Sequence, residues 1–256
     1  MENNTIVEKV VLPSKGKIYN GNVSAELTLR SMTTAEEMKR TNSSIANGFK
    51  LMSEIIDDCI VNKPVGFTSY DLCIGDYTYL LHKLRVVTHG TDYKLNIKCP
   101  QCLEESDYVM DLDNDLAVNE YKEEYEELRS VRTPVGNRTF KLRFQTPRDF
   151  DLITSEKDDM IKRAKGNLPY NPDIMLILAN AIESIDGVEY THTQLLDIVK
   201  KLNFRDANKL LNRVNQLNGG DLIGPSQEFL FVCPKCGHKQ LLPFRKTPEF
   251  YRPSDN

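Results

Sequence analysis

Long hydrophobic runs and an excess of basic charge are both missing from this 256-residue chain. No apolar stretch approaches the roughly 20 residues that a membrane-spanning helix needs, so we expect no membrane partner. The first ten residues include Glu2 and Glu8 and contain no apolar segment typical of a signal peptide. A net charge of −4 argues against a protein that coats DNA, because duplex binding requires many phosphates to be neutralised. Nucleic acid is therefore not an expected partner.

Motifs of enzymatic catalysis are also missing. The sequence has no Gly-x-x-x-x-Gly-Lys-Ser/Thr loop, no Gly-x-Gly-x-x-Gly, no His-Glu-x-x-His and no Gly-x-Ser-x-Gly. Apolar residues make up 40% of the chain, which is enough to build a core. We therefore expect a folded protein with a binding or structural role, with no enzymatic activity, no catalytic residue and no small-molecule substrate.

The negative charge is concentrated in one segment. Residues 104–127 contain eleven acidic residues and one base, so the rest of the chain carries a net charge of +6. We interpret residues 104–130 as a solvated acidic connector that contains an exposed helix. The stretch Asp111-Leu-Asp-Asn-Asp115 begins like a calcium-binding EF-hand loop, but Leu116 stands where that loop needs glycine and Lys122 where it needs a bidentate carboxylate. The sequence therefore predicts no calcium site.

The chain on the two sides of this connector follows the same order of elements. A strand and a threonine-initiated helix start occur at residues 27–37 (LTLRSMTTAEE) and again at residues 140–150 (FKLRFQTPRDF). A later helix start at Asp76 corresponds to Asp206, and Cys-Pro-Gln-Cys corresponds to Cys-Pro-Lys-Cys. The offset between equivalent positions rises steadily from 113 to 134 residues, as insertions would make it. Such an internal repeat is typical of a duplicated unit.

We therefore predict an α+β fold with two similar strand–helix–helix–strand halves. The N-terminal half covers residues 1–103 and ends in the first Cys-Pro-x-Cys pair, and the C-terminal half covers residues 131–245 and contains the second. Residues 246–256 are predicted to be an extended tail. Because Phe250 and Tyr251 lie in a segment too short to bury them alone, we expect this tail to lie on a neighbouring subunit.

The two Cys-Pro-x-Cys pairs have the spacing of zinc knuckles. In a knuckle two thiolates flank a tight turn whose backbone N–H groups stabilise the sulfur charge, and glycine often follows the second cysteine, as Gly237 does here. Each pair follows an equivalent predicted strand, so a site between the two halves would receive one knuckle from each. Four thiolates leave no open position for catalysis. We predict one structural, zinc-ribbon-like zinc (Zn) site formed by Cys99, Cys102, Cys233 and Cys236.

Other roles for these and neighbouring residues stay open at this stage. A redox pair would require its first cysteine to start a helix, whereas both pairs follow predicted strands. His238 could replace a cysteine as a ligand or stand beside the site. Cys59 and Cys73 lack metal spacing and are expected in the core. The isolated histidines, among them His82, are expected at the surface or at helix caps.

Several segments resemble a known family. They are Val11-Leu-Pro-Ser-Lys-Gly-Lys-Ile-Tyr19, Leu29-Arg-Ser-Met-Thr-Thr-Ala-Glu-Glu37, the paired knuckles and Pro248-Glu-Phe-Tyr-Arg-Pro253. Through them the chain resembles baseplate-hub proteins of contractile-tailed bacteriophages of the T-even type. The resemblance implies a non-enzymatic tail or baseplate component that acts in hub assembly. Its partners would be other phage baseplate and tail proteins, and its location the virion, or the host cytoplasm during assembly.

A zinc-ribbon nucleic-acid-binding or transcription factor is the alternative. Such a module needs a basic face with aromatic side chains near the knuckles. Basic residues around and after the second pair supply a modest face of this kind, namely Lys235, His238, Lys239, Arg245 and Lys246. The same residues would serve equally well as solubilising charge around a zinc hairpin.

Overall fold

The computed structural model describes residues 5–41, 48–219, 222–244 and 250. The fold is α+β, as predicted. Its N-terminal part contains a first hairpin, a group of helices and a second hairpin. In chain order the elements are β1 (Val7–Val11), β2 (Glu26–Arg30), α1 (Thr34–Thr41), α2 (Gly48–Cys59), α3 (Ile74–His89), β3 (Asp92–Lys98) and β4 (Glu105–Asp111).

The C-terminal part repeats much of this order after a connecting stretch with two short elements, β5 (Val118–Asn119) and α4 (Tyr125–Leu128). Strands β6, β7 and β8 form an antiparallel sheet, and β10 pairs with β11 in a hairpin. The bounds are β6 (Ser130–Arg132), β7 (Thr139–Leu142), α5 (Pro147–Arg163), α6 (Asp173–Ala181), β8 (Ile182–Ile185), α7 (His192–Lys200), α8 (Phe204–Asn218), β9 (Gly224–Pro225), β10 (Glu228–Val232) and β11 (Lys239–Pro243).

Helix α5 begins at a capping box where the sequence predicts a helix start. The Thr146 hydroxyl accepts a hydrogen bond from the Asp149 N–H, and the Asp149 carboxylate accepts one from the Thr146 N–H at 2.8 Å. Pro147 occupies the first turn, where its missing N–H costs nothing. The Arg143 guanidinium, just after β7, also binds the buried Asp149 carboxylate at 2.7 Å. The start of this helix is thereby tied to the sheet.

Helix α1 begins in the same way, 113 residues earlier in the chain. The Glu36 carboxylate accepts the Thr33 N–H at 2.7 Å and pairs with the Arg30 guanidinium of β2 at 2.7 Å. Each of the three residues occupies the position equivalent to its counterpart at α5. Both halves therefore connect a strand to a helix through one buried carboxylate.

Two further contacts recur in the two halves. The buried Asp76 of α3 accepts the Ser14 N–H at 2.9 Å, and the buried Asp206 of α8 accepts the Val135 N–H at 2.9 Å, each in the turn of the neighbouring hairpin. Leu29 pairs with Ile60 in an isolated bridge, as Leu142 pairs with Ile182 in the second sheet. A duplicated unit would retain such shared contacts, and we propose the duplication on their strength.

The apolar side chains pack into several cores. One core belongs to the N-terminal part and joins the β1–β2 hairpin to α2 and α3, and another joins the β6–β7–β8 sheet to the C-terminal helices. A third core lies between the hairpins β3–β4 and β10–β11 and includes Tyr93, Met110, Phe229 and Phe231. This third core draws its strands from both halves of the chain.

The two halves also meet at a backbone contact beside α3. Strand β5 of the connecting stretch pairs with β9, and Gly75 in the first turn of α3 lies directly against β9. A Cβ atom on Gly75 would clash with the Ile223 carbonyl oxygen, and a Cβ atom on Gly224 would lie 2.6 Å from the Gly75 carbonyl oxygen. Only glycine fits at either position.

The predicted acidic connector differs from the structure at its beginning. Residues 105–111 form β4, which pairs with β3 along its whole length. Tyr108 and Met110 face the third core, while acidic residues occupy the outward face and obscure the alternation that a half-buried strand shows. Further along, Lys15 binds Glu120 at 2.5 Å, so the acidic stretch is also attached to the N-terminal part.

The expected position of Phe250 on a neighbouring subunit is wrong. Phe250 is fully buried within this chain, and its ring centroid lies 5.6 Å from that of Tyr93 and 5.8 Å from that of Phe244. The Phe250 carbonyl accepts a hydrogen bond from Arg85 Nε at 3.2 Å. His82, which was expected at the surface or at a cap, is buried beside the same ring. Residues 245–249 and 251–256 lie outside the described residues.

One helix has no counterpart in the sequence analysis. Helix α7 begins at a capping box formed by Thr191 and Gln194, the same type of signal as at α5. The predicted break between α1 and α2 falls on residues 42–47, which lie outside the described residues. Among the helices that are described, none has the length and apolar character needed to cross a bilayer.

Candidate metal centre

Each Cys-Pro-x-Cys pair forms a tight turn at the tip of a hairpin. In the first turn the Leu103 N–H donates to the Cys99 carbonyl at 2.9 Å, and in the second the Gly237 N–H donates to the Cys233 carbonyl at 2.9 Å. The residue after the second cysteine has a positive φ in both, +60° at Leu103 and +71° at Gly237. The two turns therefore share one backbone conformation.

The two turns face each other, and the third core lies beneath them. Cys99 Sγ lies 3.7 Å from Cys236 Sγ, Cys102 Sγ lies 3.7 Å from Cys233 Sγ, and all four sulfur atoms lie within 4.8 Å of one another. Four thiolates at the usual zinc–sulfur distance of about 2.3 Å from one ion would be about 3.8 Å apart in a tetrahedron. The sulfur positions fit this arrangement. They do not fit a disulfide, whose sulfur atoms are about 2.05 Å apart, and the cysteines are free.

Backbone N–H groups stabilise negative charge on the sulfur atoms. The pKa of the Cys233 thiol is lowered to about 7, first because the Cys236 N–H donates to its sulfur, and further because the Lys235 N–H and neighbouring thiols donate against the effect of desolvation. At Cys236 the His238 N–H acts in the same direction, but desolvation and hydrogen bonds with the other three thiols raise its pKa to about 12. Four adjacent thiols cannot all ionise without a cation. A divalent metal would meet this demand.

The centre is partly shielded from water. Cys99 and Cys233, the first cysteines of their pairs, are 0% and 2% exposed, Cys102 is half-buried and Cys236 is exposed. The two buried cysteines belong to the third core. An ion bound by all four sulfur atoms would therefore join the two hairpins directly above the core that they share.

The remaining cysteines are placed as predicted. Cys59 lies in the N-terminal core, where burial raises the pKa of its thiol to about 12, and Cys73 lies between the two halves next to Ile223. The question left open for His238 has a structural answer in part, because its backbone carbonyl accepts the Cys233 N–H at 2.9 Å. Among the described residues, the donor cluster consists of the four predicted cysteines.

The basic residues near the second knuckle do not all remain available to a phosphate. The Lys235 ammonium pairs with the Glu104 carboxylate of the first hairpin at 2.6 Å. Lys239 is exposed on β11, whereas Arg245 and Lys246 lie outside the described residues. The Lys235 pairing favours a role of this charge in joining the two hairpins.

Two features that shape the centre were not found in the sequence. The positive φ of Leu103 could have been predicted from the alignment of the two knuckles, because Leu103 is equivalent to Gly237. The buried Arg85 gave no such signal. Its guanidinium donates to the Asp92 carbonyl at 2.8 Å and to the Phe250 carbonyl, so it connects α3 to the third core.

Fold and site together define an α+β protein in which two hairpins, distant in sequence, meet at one four-cysteine centre. The chain belongs to the T4 bacteriophage base plate protein family, which matches residues 4–252. The predicted family is thereby confirmed, and the chain is a phage baseplate protein. Baseplate proteins act within the phage tail together with other tail proteins. No curated protein and no solved structure matches the chain significantly.

Proposed function

We propose that this chain is a structural or assembly component of the baseplate hub, that it has no enzymatic activity, and that one structural zinc stabilises it. The observation that carries the proposal is the four-cysteine cluster in a chain of the baseplate family. Its direct partners are other baseplate and tail proteins. It acts in the tail of the virion, or in the host cytoplasm while the baseplate assembles.

The donor set supports zinc as the bound metal. Four thiolates in a tetrahedral arrangement suit zinc, which does not change its oxidation state. Cys99 and Cys102 would hold the ion from the first hairpin, and Cys233 and Cys236 from the second. A closed four-thiolate site has no position for a substrate, which supports a structural role.

The charged groove between α2 and α5 supports the absence of an enzymatic activity. Its side chains bind one another: Arg148 pairs with Asp71 at 2.6 Å, and the Tyr70 hydroxyl donates to Asp151 at 2.8 Å. The Arg148 guanidinium also lies 4.6 Å from the centre of the Tyr70 ring. These contacts attach α5 to the N-terminal part and leave no paired nucleophile and base in the groove.

The proposal is tested by interrupting the gene in the phage and examining the tails by electron microscopy. We expect incomplete baseplates, and complete ones when the wild-type chain is supplied from a plasmid. A plasmid-borne Cys233→Ser chain should fail to restore them, whereas a Cys59→Ala chain, altered at a cysteine outside the centre, should succeed. Normal tails without the gene product would contradict the proposal.

A nucleic-acid-binding function is the alternative, and binding to duplex DNA tests it. An affinity that falls steeply with salt would indicate phosphate contacts and would favour the alternative. Because Lys235 is already paired with Glu104, we expect no salt-dependent binding near physiological ionic strength.

A further inference from the structure

The face of the β10–β11 hairpin that points away from the third core is apolar at its centre. Leu230 lies opposite Leu241 across the two strands, and their side chains are 50% and 63% exposed. Phe229 and Phe231 face inward, so this exposure belongs to the opposite face of the hairpin. We call it the outer face, formed by Glu228, Leu230, Val232, Lys239, Leu241 and Pro243.

The equivalent face of the β3–β4 hairpin is polar. Asn96 lies opposite Asp107 and donates a hydrogen bond to its carboxylate at 3.1 Å, and Lys98 lies opposite Glu105 at 3.8 Å. These residues occupy the positions of the leucine pair and of its neighbours in the outer face, since the two knuckles align at an offset of 134 residues. The first hairpin thus has the surface of a strand pair in water, whereas the second has the surface of a covered one.

The charges at the ends of the outer face are complementary to each other. Glu228 is exposed at one end and Lys239 at the other, with the leucine pair between them. Within the described residues neither side chain takes part in an ion pair. A twofold axis between two such faces would place each Glu228 beside Lys239 of the partner subunit and each leucine pair on the other.

We propose that the outer face is a dimer interface on which a second copy of this chain packs across a twofold axis. One hairpin face is smaller than the roughly 800 Å² per partner that a stable interface buries, so the dimer dissociates readily in dilute solution. The proposal does not depend on the role of the protein in the hub.

Sedimentation of the full-length, zinc-loaded protein over a range of concentrations tests this interface. We expect a reversible monomer–dimer equilibrium that Leu241→Lys weakens at least tenfold. Val109→Lys, on the corresponding face of the first hairpin, is the matched control and should leave the equilibrium unchanged. Zinc content and circular dichroism of each variant establish that it is folded.

Charge reversal distinguishes a second copy from another partner. Glu228→Lys and Lys239→Glu should each weaken dimerisation, and the double variant should restore it, because only a self-complementary face regains its ion pairs. A wild-type chain that remains monomeric at all concentrations would overturn the proposal. So would a dimer that Leu241→Lys does not affect, or a double variant that is weaker than both single ones, since the face would then serve a different protein.

Discussion

At the scale of single residues, the two knuckles differ at one position with the same backbone conformation. Leu103 has a φ of +60° where the second knuckle has Gly237 at +71°. The left-handed conformation costs a leucine about 1–2 kcal/mol, and the Leu103 side chain is 68% exposed and so contributes little packing. We predict that Leu103→Gly raises the free energy of unfolding by about 1 kcal/mol, measured by urea denaturation of the zinc-loaded protein.

The matched change is Gly237→Ala in the second knuckle. A Cβ atom at Gly237 would have no neighbour within 4 Å, so its effect is purely conformational. The free energy of unfolding should fall by about 1 kcal/mol. A loss of stability in Leu103→Gly would show that the turns are held by the leucine side chain instead.

Glu36, the buried carboxylate at the start of α1, provides a pH-dependent contribution. The Arg30 guanidinium, helped by Thr33, lowers the pKa of Glu36 from its usual 4.5 to about 2 despite desolvation. Because the folded pKa lies below the unfolded one, this contribution is fully present above pH 4.5 and is lost as the pH falls towards 2. Glu36→Gln should lower the free energy of unfolding at pH 7 by about 1–3 kcal/mol.

Denaturation of the variant and the wild type at several pH values checks this effect. The difference between them should shrink as the pH falls from 4.5 to 2. Glu54→Gln, on the exposed side of α2, is the control and should show no comparable change. A difference that stays constant over this range would contradict the assigned role of the carboxylate.

At the scale of elements, the packing of α3 on β9 depends on the absence of side chains. A Cβ atom on Gly75 would clash with the Ile223 carbonyl oxygen, which is backbone and cannot move alone. We predict that Gly75→Ala lowers the free energy of unfolding by about 2–3 kcal/mol in thermal denaturation. Gly48→Ala, at the start of α2 with open space around it, should have little effect. Equal effects of the two changes would argue against a close backbone contact.

The elements that the sequence predicted are those with strong local signals. Helices α1 and α5 follow their threonine caps, α3 ends at Gly90, and the strands before the knuckles alternate clearly. Strand β4 was obscured because a half-buried strand needs apolar residues on one face only, and acidic residues fill the other. The burial of Phe250 could not be predicted, because its partners Arg85 and Tyr93 are remote in sequence and become neighbours only through the third core.

At the scale of the whole molecule, the chain is closed by contacts between regions that are distant in sequence. The four cysteines, the third core and the Lys235–Glu104 ion pair all join the β3–β4 hairpin to the β10–β11 hairpin. The cysteine spacing alone predicted that these regions meet, because each pair can supply only half of a tetrahedral site. A metal bound between them would contribute to the folding of the whole chain.

The central claim is that the two hairpins hold one zinc ion jointly, and the metal content of the purified chain tests it most directly. Mass spectrometry of the metal should find one zinc per chain, and either Cys102→Ser or Cys236→Ser, one in each hairpin, should reduce it to a small fraction. The folded control Cys59→Ala should keep its zinc. Two zinc ions per chain, no zinc in the wild type, or zinc retained in full after either knuckle is altered would contradict a shared centre.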